Sequence, residues 1–120
     1  QALMPLLQQS DNAAAAPARI VNVTSEAGHL RILKDNEALK ARFVSPDLTV
    51  EDIEALMSKF VVDAQANTHL EQGWPNTCYG MSKLALTAAT RVLARQHTTM
   101  MITACCPGYC DTDMTSHKGK

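Results

Sequence analysis

Tyr79-Gly80-Met81-Ser82-Lys83 sets a phenol and an ammonium four positions apart at the start of a stretch with helical composition. On a helix two such side chains share one face, about 6 Å apart along the axis. A lysine cation beside a tyrosine favours the phenolate, and a phenol tuned in this way can give or take a proton at a carbonyl or alcohol oxygen. The spacing alone is common on solvated helix faces. Its weight comes from what flanks it: Ser25, which ends the run Asn22-Val23-Thr24, and the tight turn Pro107-Gly108.

These groups need elements to position them. Residues 18–24 form a short β-branched run, the pattern of a buried parallel strand, and stop at the small and polar Ser25-Glu26-Ala27-Gly28. Residues 29–48 read as irregular, with a short helix around 36–43. Thr49 can cap the next helix, with Glu51 and Asp52 in its first turn, and Ile53, Leu56, Met57, Phe60 and Val61 recur at helical spacing. Residues 71–77 read as a loop in which Trp74 packs rather than binds, and a third helix is predicted over 79–96. Residues 100–106 read as a second buried strand. The small, alanine-rich stretch 10–17 reads as a linker and the polar 111–120 as a mobile tail. Strand, helices, strand predicts a crossover in a parallel sheet. Because two strands alone make a marginal sheet, the chain reads as a slice of a larger doubly wound α/β domain. It opens on Gln1, inside a helix-like run, and is expected to be a fragment.

The totals narrow the classes. A chain of 120 residues, 46% hydrophobic and with formal net charge −1, is a soluble globular composition. It lacks the basic excess of a nucleic-acid binder, and no apolar run approaches the roughly 20 residues that span a bilayer. Cys78, Cys105, Cys106 and Cys110 make no Cys-x-x-Cys pair, and the four histidines complete no zinc-like spacing, so no metal is expected. Unpaired thiols in apolar surroundings suit a reducing compartment, and Cys106 reads as a small buried hydrophobe.

In open α/β sheets, ligands bind beyond the carboxyl ends of the strands. Ser25, Tyr79 and Pro107-Gly108 are all predicted at that edge, the arrangement wanted for reducing a carbonyl. Ser25 would bond the substrate oxygen, Tyr79 would protonate it and Lys83 would tune the phenol. Backbone at Gly108 could approach a flat cofactor ring.

Asn22-Val23-Thr24-Ser25, Tyr79-Gly80-Met81-Ser82-Lys83 and Pro107-Gly108-Tyr109-Cys110-Asp111-Thr112 resemble the active-site motifs of the short-chain dehydrogenase/reductases. The likeness is closer to the monomeric NADPH-dependent carbonyl reductases, which carry a long insertion between serine and tyrosine. Here 54 positions separate Ser25 from Tyr79, and the insertion includes Glu51 to Asp63 and Gly73-Trp74-Pro75. Cys110 stands where that family usually has valine, and Tyr109 where animal carbonyl reductases commonly have tryptophan.

The resemblance implies a partial Rossmann-type sheet in a three-layer α/β/α fold. Residues 1–120 would be the C-terminal catalytic part of one domain, without its N-terminal cofactor-binding half. It implies catalytic Ser25, Tyr79 and Lys83. Cofactor contacts are implied at Tyr79, Lys83, Pro107, Gly108, Cys110, Asp111 and Thr112. The implied activity is hydride transfer from NADPH to aldehydes, ketones or quinones, by a cytoplasmic monomer with a small-molecule carbonyl substrate. The alternative is a non-catalytic or truncated relative that serves as a binding module.

Overall fold

The computed structural model describes residues 3–9 and 17–120, so most of the expected linker lies outside the described residues. After α1 (Met4–Gln9) comes β1 (Arg19–Val23), then two short 3-10 turns, Glu26–Gly28 and Leu30–Leu33. Three helices follow, α2 (Glu37–Val44), α3 (Val50–Gln65) and α4 (Cys78–Gln96), before β2 (Met101–Cys105) and a last 3-10 turn, Asp113–Thr115. β1 and β2 pair in parallel, in a register that sets Ile20 opposite Ile102 and Val23 opposite Cys105. The expected crossover is therefore present: two parallel strands joined through a helical layer.

Local chemistry sets the helix starts. At α3 the Thr49 hydroxyl accepts from Asp52 N at 3.1 Å while Asp52 Oδ2 accepts from Thr49 N at 3.0 Å, a reciprocal cap. The Thr49 bonds hold the Asp52 carboxyl below its ordinary range. Thr77 caps α4 by accepting from Gly80 N at 2.9 Å. Asn36 works in two directions: its Oδ1 accepts from Leu39 N at 3.0 Å, starting α2, while its Nδ2 donates to Gly73 O at 3.1 Å.

The main core lies between the helices, with Phe43, Leu56, Phe60, Trp74, Met81 and Val92 all buried in it. Ile53, Leu56 and Phe60 form the predicted inner stripe of α3, whereas Val61 turns outward. Trp74 packs edge-on to Phe60, with ring centroids 5.6 Å apart, and its indole N–H donates to Asp63 Oδ2 at 2.7 Å. Lys59 Nζ reaches the same oxygen at 2.7 Å. With these two donors, Lys59 first and Trp74 second, the Asp63 carboxyl is held below its usual range. Trp74 is thus a packing residue, as its sequence context suggests.

The strands correct the sequence reading. Both were expected to be buried, yet Val21 is 58% exposed and Val23 56%, and of β2 only Ile102 is buried. The cause is one-sided cover. Ile20 and Ile102 pack toward Leu93 of α4 and Met4 of α1, and Asn22 Nδ2 donates to Thr90 Oγ1 of α4 at 2.8 Å. Val21 and Val23 point the other way, because side chains alternate along a strand. No described element covers that face. The described residues thus hold one helical layer and part of the sheet of the expected α/β fold. The tail is also more structured than expected: the turn Asp113–Thr115 is followed by His117, whose Nδ1 lies 3.0 Å from Asp111 Oδ1 and Nε2 2.9 Å from Asp113 Oδ1. No helix among the described residues is long and apolar enough to cross a membrane.

Candidate active site

Three chain segments end at one rim of the sheet. β1 delivers Ser25, α4 opens with Tyr79 and Lys83, and β2 runs out through Cys106 into Pro107-Gly108. Together they wall a cavity of about 600 Å³ that also takes in Tyr109, Met114 and Thr115. Ser25, Tyr79, Lys83, Pro107 and Gly108, all picked out from sequence, thus line one space. A second cavity of about 490 Å³ opens beside Trp74, but none of those five residues lines it.

Each group is held by identifiable bonds. Ser25 caps the turn Glu26–Gly28, its Oγ accepting from Ala27 N at 3.2 Å. That bond uses a lone pair and leaves the hydroxyl proton able to donate. Tyr79 is 49% exposed, so its phenol is open to a ligand. Lys83 Nζ lies 5.6 Å from the centre of the Tyr79 ring and donates to Val23 O at 3.1 Å, tying α4 to the end of β1. An ammonium has three N–H groups, so two remain for another acceptor. Among the wall residues Lys83 alone carries a charge.

Gly108 has φ +82°, in the left-handed region, and a Cβ there would meet nothing within 4 Å. Its glycine serves the turn's conformation, and the space above it is open. The sulfur of Cys106 is not buried as expected: it is exposed and accepts from Glu26 N at 3.3 Å and Gly108 N at 3.4 Å. It thereby links the serine turn to the glycine turn. Cys78 and Cys105 are exposed too, although Cys78 borders an apolar hollow with Met57, Phe60 and Val61.

Cys110, Asp111 and Thr112 stand apart from the cavity wall. Cys110 Sγ donates to Pro107 O at 3.0 Å, Asp111 pairs with His117, and Thr112 is engaged by the Thr115 hydroxyl at 2.9 Å. The turn Asp113–Thr115 folds this stretch back and presents Met114 and Thr115 instead. Thr115 as a wall residue has no signal in the sequence, and Met114 has one only in the likeness of Thr112-Asp113-Met114 to the family's pattern. Cys106 could have been found from its place directly before Pro107-Gly108.

No protein-family model matches the chain. It is 41% identical over 107 residues to "Carbonyl reductase (NADPH) 3" of Rattus norvegicus, covering 84% of this chain and 39% of that one. It is 36% identical over 121 residues to the "(+)-neomenthol dehydrogenase" of Capsicum annuum, covering 99% of this chain and 37% of that one. Among solved structures, salutaridine reductase from Papaver somniferum superposes with a TM-score of 0.85 at 36% identity, over 98% of this chain and 39% of that one. The chain therefore spans about two fifths of the length of these relatives. Together with the strand, turn and helix motifs at the cavity, these matches support a short-chain dehydrogenase/reductase, carbonyl-reductase-like protein with a partial Rossmann-type α/β fold.

Proposed function

We propose that the protein carrying this stretch is an oxidoreductase that reduces aldehydes, ketones or quinones with NADPH, working as a cytoplasmic monomer. The observation that carries this reading is the meeting of Ser25, Tyr79 and Lys83 at one largely apolar cavity. The names of the carbonyl reductase relatives support NADPH as the cofactor.

The residues present suit the nicotinamide end of such a cofactor. Gly108 leaves open space at the cavity mouth, and the ammonium of Lys83 keeps two donors for ribose hydroxyls. Pro107 and Gly108 would lie beside the ring. Cys110, Asp111 and Thr112, next along the chain, would lie toward the carboxamide and pyrophosphate. When bound, the cofactor supplies a hydride for the carbonyl carbon.

The chain's own groups handle the oxygen. The Ser25 hydroxyl donates to the carbonyl oxygen and fixes its position, and Tyr79 passes its phenolic proton to that oxygen as negative charge builds there. Lys83 stabilises the charge left on the phenol oxygen.

The test is NADPH consumption with a small aldehyde or quinone. Tyr79→Phe is expected to lower the rate by at least about a hundredfold with folding intact, the usual scale of a lost general acid. An unchanged rate ends the assignment of Tyr79.

A further inference from the structure

Gly28 and Gly80 sit where the serine turn meets α4, and each fills its place by lacking a side chain. Neither has φ in the left-handed region, so conformation does not demand glycine at either position. Space does. A Cβ at position 28 would lie 2.5 Å from Leu84 N, 2.5 Å from the carbonyl carbon of Lys83 and 2.7 Å from Lys83 Cβ. A Cβ at position 80 would lie 2.8 Å from Ala27 O and 2.7 Å from Thr77 Cγ2. The two contacts are reciprocal. Gly28 of the turn presses on the helix at Lys83, and Gly80 of the helix, next to Tyr79, receives the turn's own carbonyl.

We propose that Gly28 and Gly80 are positioning residues, a two-point clamp that sets the distance from Ser25 to Tyr79 and Lys83. The inference rests on the carbonyl-reductase reading above. On its far side the turn that carries Ser25 is anchored at its base by Thr24 N donating to Cys105 O at 2.7 Å. Beyond Ser25 it meets weak sulfur bonding, Glu26 N to Cys106 Sγ at 3.3 Å, so its seat on α4 helps set where the hydroxyl stands. Non-bonded carbon contacts settle near 3.5–4.0 Å, so an added methyl must push the turn off the helix by roughly 1 Å. A shift of that size at a catalytic group can cost about a hundredfold in rate.

The experiment is a double-mutant cycle in the protein carrying this stretch, with NADPH and a small aldehyde. Gly28→Ala is expected to lower kcat by roughly ten- to a hundredfold with KM for NADPH unchanged. In a Ser25→Ala background the same change is expected to cost less than about threefold, because the group it misplaces is already gone. Gly80→Ala should behave alike. Combining it with Thr77→Ser removes the methyl contact and keeps the cap, which leaves the clash with Ala27 O as the test. An equal loss in both backgrounds, or no loss, overturns the proposal. So does failure of all these variants to fold, since the contact would then hold the fold rather than the spacing. Full activity in Tyr79→Phe would instead overturn the carbonyl-reductase reading, so the two failures are told apart.

Discussion

The helical side and the sheet side of this molecule are built to different degrees of closure. Between α2, α3 and α4, Phe43 is 1% exposed and Trp74 5%, and the last carbonyls of α2 are met by a donor from α4, where Arg91 reaches Phe43 O and Val44 O. Across the sheet, Val21 and Val23 face outward with more than half their surface open. The cavity lies on the seam. Tyr79 and Lys83 stand on the closed side, while Ser25 and Gly108 hang from strand ends on the open side. The closed half can hold its two groups in place by packing, whereas the open half depends on a few close contacts, which is why two missing side chains at Gly28 and Gly80 carry weight.

The contrast can be broken at its strongest point. Trp74→Ala is expected to cost about 3–5 kcal/mol of stability, the range for losing a large buried aromatic, measured by denaturant titration. A cost under about 1 kcal/mol would mean that the helical side is not close-packed around this ring.

Acid should act next, and on the same side. The folded-state pKa of Asp63 is depressed by its bonds to Lys59 and Trp74. Its contribution is therefore complete above the unfolded carboxylate value of about 4 and is lost as pH falls through the lower folded value. Indole emission from Trp74, the chain's one tryptophan, should report that loss below about pH 4. Asp63→Asn should remove this pH dependence. Persistence of the same acid transition in Asp63→Asn would assign it elsewhere.

The smallest effect belongs to the open face. Val21→Thr, measured in this 120-residue chain, is expected to stay within about 0.5 kcal/mol, the range of surface changes. A larger loss would show that something covers that face.

What was legible in the sequence follows the same division. The start of α3 could be read because Thr49 and Asp52 cap within one turn, and its buried stripe because period and burial agree along one helix. The convergence of Ser25, Tyr79 and Gly108 could be read because parallel strands put their carboxyl ends at one edge. Strand burial could not, because β-branched runs look alike whether one face or both are covered, and the cover comes from distant residues. Cys106 was misjudged for a related reason: a cysteine's composition says apolar, but its position after the strand's last ladder bond leaves it at an open rim. The tail turn rests on Thr115 Oγ1 donating to Cys110 O at 2.8 Å and on His117 between two carboxylates, contacts among polar residues with no periodic signature.

Asn36 carries a consequence for how the closed half comes apart. One carboxamide both begins a helix and fastens a loop 37 positions further along the chain. The side chain thereby links α2 to the Trp74 loop, and their amide protons are expected to exchange with solvent through one shared opening.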